Sequence, residues 1–304
     1  MIQTDRWSEY WNNEGFSGEV FVNKAGEGHP QLASYWKVQL SGIRSASIII
    51  DLACGAGSVL ADLGEDHAHS LFGADISIDA LHLLRERLPP VHVVSCSVSQ
   101  LPFRESTFDV VVSQFGLEYG GSEAFVEAGK LVSNGGRIAI LCHFAGGSID
   151  TVNKSKLAGA EYIVDTDFIS KSIELAEAAF DRHDNSIEKA QALFLPVEQQ
   201  VSAMLKQHPE GIHNHLYYGF KQLFQRRNHY DVADITTWLD SMRIDVEKSI
   251  LKLKQMCTAA NSEDQIKQIC RQFTQLGLKE VGYSPFVIAD TDLPVAWSIT
   301  ARRR

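Results

Sequence analysis

Between about residues 44 and 144 the chain alternates short β-branched runs with amphipathic ones. Ser47–Ile50 is apolar and β-branched, as in a strand buried on both faces, and Val59–Leu63 has helical character. The pattern predicts strands near 47–51, 70–75, 91–95, 108–113 and 137–143, and helices near 57–64, 78–88 and 122–132. The helix beginning at Asp79 stops at Leu88, before two prolines, and the Ser133–Gly136 stretch predicts a turn. Such alternation implies parallel strands joined by right-handed crossovers, with ligands at the carboxyl ends of the strands. Asp51, Asp75, Ser97 and Ser113 all fall at those ends.

Two aromatic, β-branched runs near the end, 281–290 and 295–303, are separated by turn residues and predict a hairpin. Between the fifth strand and this hairpin the pattern is helical. Ile235, Trp238, Leu239, Met242, Val246, Ile250 and Leu253 form one apolar stripe, Asp231 is a plausible N-cap, and Ser262 with Gln265 has capping-box spacing. Three parts follow: an N-terminal cap segment at 1–45, an α/β domain from 46–149 with 279–304, and a helical insertion at 150–278. The insertion is expected to form a lid and acceptor pocket, the alternative being a separate helical domain with no part in the site. The helix-like stretch 31–40 and the segment before it are expected to close the site from the other side.

The turn after the first strand carries the chemistry. It reads DLACGAG over residues 51–57, and Gly55 and Gly57 allow positive φ and close approach of a ligand to the main chain. A dinucleotide loop and a loop for S-adenosylmethionine (AdoMet) compete here. The dinucleotide fingerprint requires a third glycine where this chain has Leu60. Asp51 would repel pyrophosphate, whereas it suits an ammonium group.

DLACGAG resembles the first motif of class I AdoMet-dependent methyltransferases, and three further segments follow in the family's order: LFGADIS, VVSCSVSQLPFRESTFDVVVSQFGLEY and LVSNGGRIAILCHF. The second of these is similar to the type 11 group, which includes quinone-biosynthesis C-methyltransferases. The resemblance implies a Rossmann-like, mostly parallel seven-stranded sheet with an antiparallel last strand, and AdoMet as cofactor. It implies that Asp51, Ala53, Cys54, Gly55 and Gly57 surround the methionine portion, with Ser113 and Gln114 near the sulfonium and ammonium. Asp75 would take the ribose hydroxyls, and Ile76, Ser97 and Val98 the adenine side. Ser97 stands where the group usually carries an acid.

On the acceptor side the candidates are His143 as general base and, comparably, Glu118 and Tyr119. Cys54 reads as a small space-filling residue, with no base beside it. His208, His213, His215, Tyr217 and Tyr218 form a cluster that would line a pocket or, less readily, hold a metal, since histidines at i and i+2 do not share a helix face. The sequence lacks the signature loops of nucleobase-amine, cytosine C5 and protein arginine methyltransferases. A small or medium organic acceptor is therefore expected, with protein or RNA methylation behind it. A second reading is an AdoMet-binding protein without methyl transfer, its insertion serving a partner.

Composition narrows this further. The 304-residue chain is 44% apolar and has a formal net charge of −10, which disfavours a nucleic-acid partner. The basic C-terminal tripeptide is a local exception. Five cysteines without a C-x-x-C pair read as reduced thiols. With no apolar run of membrane-spanning length and no leader pattern, the cytoplasm is the expected compartment.

Overall fold

The computed structural model describes residues 28–61, 63, 68–181, 186–289 and 291–304. Most of the segment expected to close the site from the N-terminal side, up to residue 27, lies outside the described residues.

The predicted alternation is realised. Helix α1 (Pro30–Gln39) is followed by β1 (Ile48–Leu52), α2 (Ser58–Ala61), β2 (Ser70–Asp75), α3 (Ile78–Arg87), β3 (His92–Ser95) and β4 (Phe108–Gln114). A 3₁₀ turn (Leu117–Gly120), α4 (Gly121–Leu131) and β5 (Val132–His143) come next. Strands β6 (Leu278–Phe286) and β7 (Ala296–Arg303) form the late hairpin. The seven strands lie in the order β3-β2-β1-β4-β5-β7-β6. β1 to β5 pair in parallel, and β7 runs antiparallel to both of its neighbours. The sheet class expected from the sequence is thus the one observed.

Burial on both faces, with successive residues alternating between two cores, explains why these strands are apolar throughout. Val111, Ile138, Ile140 and Cys142 join one core with Phe125 and Leu131 of α4, while Val110, Val112, Ala139 and Leu141 join another with Trp36 of α1 and Leu84 of α3. The turn predicted at Ser133–Gly136 needs correction. These residues bulge out of β5, between its pairings Phe108 to Val132 and Val110 to Arg137. Asp109 fixes the bulge: one carboxylate oxygen accepts from Ser133 Oγ at 2.9 Å and the other from Ile48 N at 2.9 Å.

The chain forms two compact units, and the smaller spans Asp150–Thr258. It contains α5 (Ser148–Asp165) from residue 150, α6 (Phe168–Phe180), α7 (Ser186–Gln207), α8 (Ile212–Gln225) and nearly all of α9 (Val232–Ala259). Its own core includes Phe168, Phe194, Phe220, Leu239 and Val246. The expected insertion, 150–278, is therefore too long at its C-terminal end. Helix α10 (Glu263–Gln275) belongs with the sheet because Ile266, Ile269 and Phe273 share one helix face and are buried in the sheet's core. Its Ser262–Gln265 capping box forms as the spacing predicts.

The C-terminal arginines are likewise structural. Arg303 donates to Leu276 O at the end of α10 and to Gly129 O in the last turn of α4, and Arg302 and Arg304 pair with Glu280.

Candidate functional site

The carboxyl ends of β1 and β2 bring two acids together. Asp51, one residue from the end of β1, is 1% exposed, and neither carboxylate oxygen has a hydrogen-bond partner. Burial, and then repulsion from Asp75, pushes its carboxyl well above the usual range. An acid buried without a partner is costly unless a cation or donor reaches it. Asp75 is also buried and its pKa is raised, again mainly by burial. Its oxygens accept from Gly55 N at 2.9 Å and Ser77 N at 2.8 Å, which oppose that rise. Capping of α3 falls to Ser77, whose Oγ accepts from Ala80 N, so Asp75 is not that helix's N-cap.

The glycine loop is held more tightly than its sequence suggests. Gly55 N is engaged by Asp75 and Cys54 N by Ala74 O at 3.1 Å, so these two donors brace the loop internally. Gly57 has φ +81°, and a Cβ there would meet Leu84 of α3 at 2.3 Å. It does for helix packing what the dinucleotide motif assigns to its third glycine. Ala53 adopts φ 52° next to Gly116, where a Cβ would stand 2.4 Å from its own. Cys54 is buried and its thiol is pushed far up by burial and by both aspartates, in keeping with a space-filling role.

The two polar residues ending β4 diverge. Ser113 is fully buried and donates to Leu52 O at 2.7 Å, so its hydroxyl ties β4 to β1. Gln114 accepts from Trp36 Nε1 and donates to Ser58 Oγ at 3.4 Å. It lines a cavity of about 180 Å³ with His29, Leu32, Trp36 and Ser58. The sequence reading missed Ser58 and Trp36; the signal was a hydroxyl directly after the glycine loop and an aromatic on the amphipathic α1. At the β3 end, Ser97 Oγ accepts from Ser99 N at 3.3 Å within its own turn, and Val98 packs against Gly120, while Ile76, directly after β2, is half-buried.

The three acceptor-side candidates converge. Glu118 Oε1 accepts from His143 N at 2.9 Å and lies 2.6 Å from His143 Nδ1. The Phe115 and Tyr119 rings lie 4.9 and 6.1 Å from the imidazole. The histidine cluster of the helical unit, by contrast, does not converge. His213 is fully buried with Nε2 2.8 Å from His208 O, while His215 and Tyr218 are exposed and Tyr217 donates to Glu198. Among the described residues, no group of three or more His, Cys, Asp or Glu side chains is arranged to hold a metal, and no helix is long and apolar enough to cross a membrane. All five cysteines are free thiols.

Residues 49–136 match the family model described as a methyltransferase domain. The mitochondrial arginine-hydroxylase NDUFAF5 of Homo sapiens is 36% identical over 76 residues, 25% of this chain and 22% of that protein. The demethylmenaquinone methyltransferase of Corynebacterium kroppenstedtii is 34% identical over 99 residues, 32% of this chain and 42% of that one. The chain thus spans less than half of either relative. Among solved structures, an S-adenosylmethionine-dependent methyltransferase from Mesorhizobium loti is 22% identical, covering 37% of this chain and 53% of that one with a TM-score of 0.34, a likeness too loose to add weight.

Proposed function

We propose that this chain, whose residues 49–136 match a methyltransferase-domain model, transfers a methyl group from AdoMet to a small or medium organic acceptor. The observation that carries the reading is Asp51: a buried carboxyl with both oxygens unpartnered, set where an ammonium group would satisfy it. The residues present fit the cofactor. Asp51, Gln114 and the Ala53–Gly57 loop would hold its amino-acid end, Asp75 would accept from its ribose hydroxyls, and Ile76, Ser97 and Val98 would border its adenine. When bound, AdoMet supplies an activated methyl group on a sulfonium. The protein's own tasks are then to align the acceptor, exclude water and take up any proton the acceptor releases. His143, Glu118 and Tyr119 are proposed for that side.

The similarity to a demethylmenaquinone methyltransferase favours a reduced aromatic ring as acceptor. The helical unit is proposed to serve acceptor recognition, because the chain enters it directly after β5, which ends at His143. Soluble operation in the cytoplasm is part of the same proposal.

A second reading is AdoMet binding without methyl transfer. The match to a protein named as an arginine hydroxylase favours it, as does Ser97 in place of the usual adenine-side acid. Methyl-labelled AdoMet, incubated with the protein and a panel of quinols, phenols and amines, separates the two. Label in any acceptor supports transfer; tight cofactor binding with label in none supports the second reading.

A further inference from the structure

Two polar atoms at the end of β5 are buried without a partner: Nε2 of His143 and Oε2 of Glu118. Their side chains are almost wholly enclosed, at 2% and 0% exposure. Glu118 Oε1 already accepts from the backbone N–H of His143 at 2.9 Å. The same oxygen lies 2.6 Å from Nδ1, and an oxygen serving as acceptor there requires Nδ1 to carry the proton. Phe115 packs beside the imidazole, its ring centroid 4.9 Å away and its plane tilted by 37°. A histidine with only a packing role would not need an unpartnered, desolvated ring nitrogen, which costs stability.

We propose that Glu118 is a positioning residue that holds His143 as the Nδ1–H tautomer, leaving Nε2 as the base that takes a proton from the methyl acceptor. The acceptor is therefore a protic group, a ring hydroxyl or an enolisable carbon, and not a thioether or tertiary amine. The proton passes to Nε2. The electron pair left on the acceptor atom forms the bond to the methyl carbon as the carbon–sulfur bond of the sulfonium breaks, its pair staying on sulfur. This use of the base rests on the methyl-transfer reading; the tautomer does not.

Long-range ¹H–¹⁵N correlation on the full chain tests the tautomer, with His143 assigned from the spectrum of His143→Gln. At pH 8 the wild-type protein is expected to show a protonated Nδ1 and an unprotonated Nε2. Glu118→Gln, which keeps an acceptor, retains that pattern. Glu118→Met, which removes both oxygens, shifts the ring toward the Nε2–H tautomer favoured by the free histidine side chain. A proton on Nε2 in the wild-type protein overturns the proposal even if the methionine variant does not fold, and so does a folded Glu118→Met with an unchanged spectrum. His143→Gln is further expected to lose at least about 100-fold in turnover with the acceptor found in the labelling panel, while AdoMet affinity by calorimetry stays within about threefold. Undiminished turnover in His143→Gln overturns the role of the base, whereas absence of AdoMet binding to the wild-type chain defeats the methyl-transfer reading instead.

Discussion

Leu84 closes on Gly57 so tightly that a Cβ on the glycine would stand 2.3 Å from Leu84 Cδ1. With φ +81°, the position also disfavours any L side chain. Gly57→Ala should therefore destabilise the protein by about 2–4 kcal/mol, combining overpacking with left-handed backbone strain. Adding Leu84→Ala should recover part of that loss, so that the double variant is less destabilised than the sum of the singles. Denaturant titration of the four proteins measures the coupling, and strict additivity would show that the contact is not what requires glycine.

Asp51 gives a dependence of stability on pH. Its folded-state pKa lies above the unfolded value, so the native fold binds this proton more tightly than the unfolded chain does. Stability is then lost as pH rises from the unfolded value of about 4 through the raised folded value. Asp51→Asn stays neutral and removes that loss. At pH 7–8 the ligand-free variant should melt a few degrees above wild type, with the gap closing toward pH 4, and thermal melts across this range check it.

Asp75 joins loop stability to ligand affinity. Asp75→Ala leaves Gly55 N and Ser77 N without their acceptor, at about 1–3 kcal/mol for each donor left buried. AdoMet affinity should fall by a comparable 1–3 kcal/mol, and Asp75→Asn, which keeps one acceptor oxygen, should fall between. Denaturation and calorimetry on the same preparations read both effects. Wild-type affinity in the alanine variant would remove Asp75 from the ribose.

Burial pushes the Cys54 and Cys142 thiols well above their ordinary range, with nearby acids adding to the effect. Neither should react with a thiol reagent at pH 8 in the native protein within the time that labels all five cysteines in denaturant. Peptide mapping by mass spectrometry distinguishes the sites. Rapid native labelling of Cys54 would reopen a nucleophilic role.

The parts of this protein governed by local periodicity could be read from its sequence. β1 to β4 and α3 and α4 fall within about two residues of the predicted bounds, because strands buried on both faces and capped amphipathic helices announce themselves locally. Asp51 and Asp75 were legible for the same reason: each stands at the carboxyl end of an apolar strand. What stayed hidden depends on pairing across the sheet. Ser113 gives no sign in sequence that its hydroxyl is spent on Leu52 O, 61 residues away. Glu118 and His143 were separate candidates, since only the β4–β5 crossover brings residues 25 apart into one hydrogen-bonded pair. The bulge at Ser133–Gly136 read as a turn because its glycines are turn residues, while the Asp109 carboxylate that holds it lies on the neighbouring strand. Helix α10 was assigned to the insertion because an apolar stripe does not say which core it faces.

The central claim is that Asp51 receives the ammonium end of a sulfonium cofactor, and isothermal titration with AdoMet in buffers of different ionisation enthalpy tests it most directly. The account predicts saturable binding to wild type with net proton release, as a raised carboxyl ionises to meet a cation, and at least a tenfold loss of affinity in Asp51→Asn. Binding of NAD with no heat from AdoMet, or equal AdoMet affinity in wild type and Asp51→Asn, would contradict it.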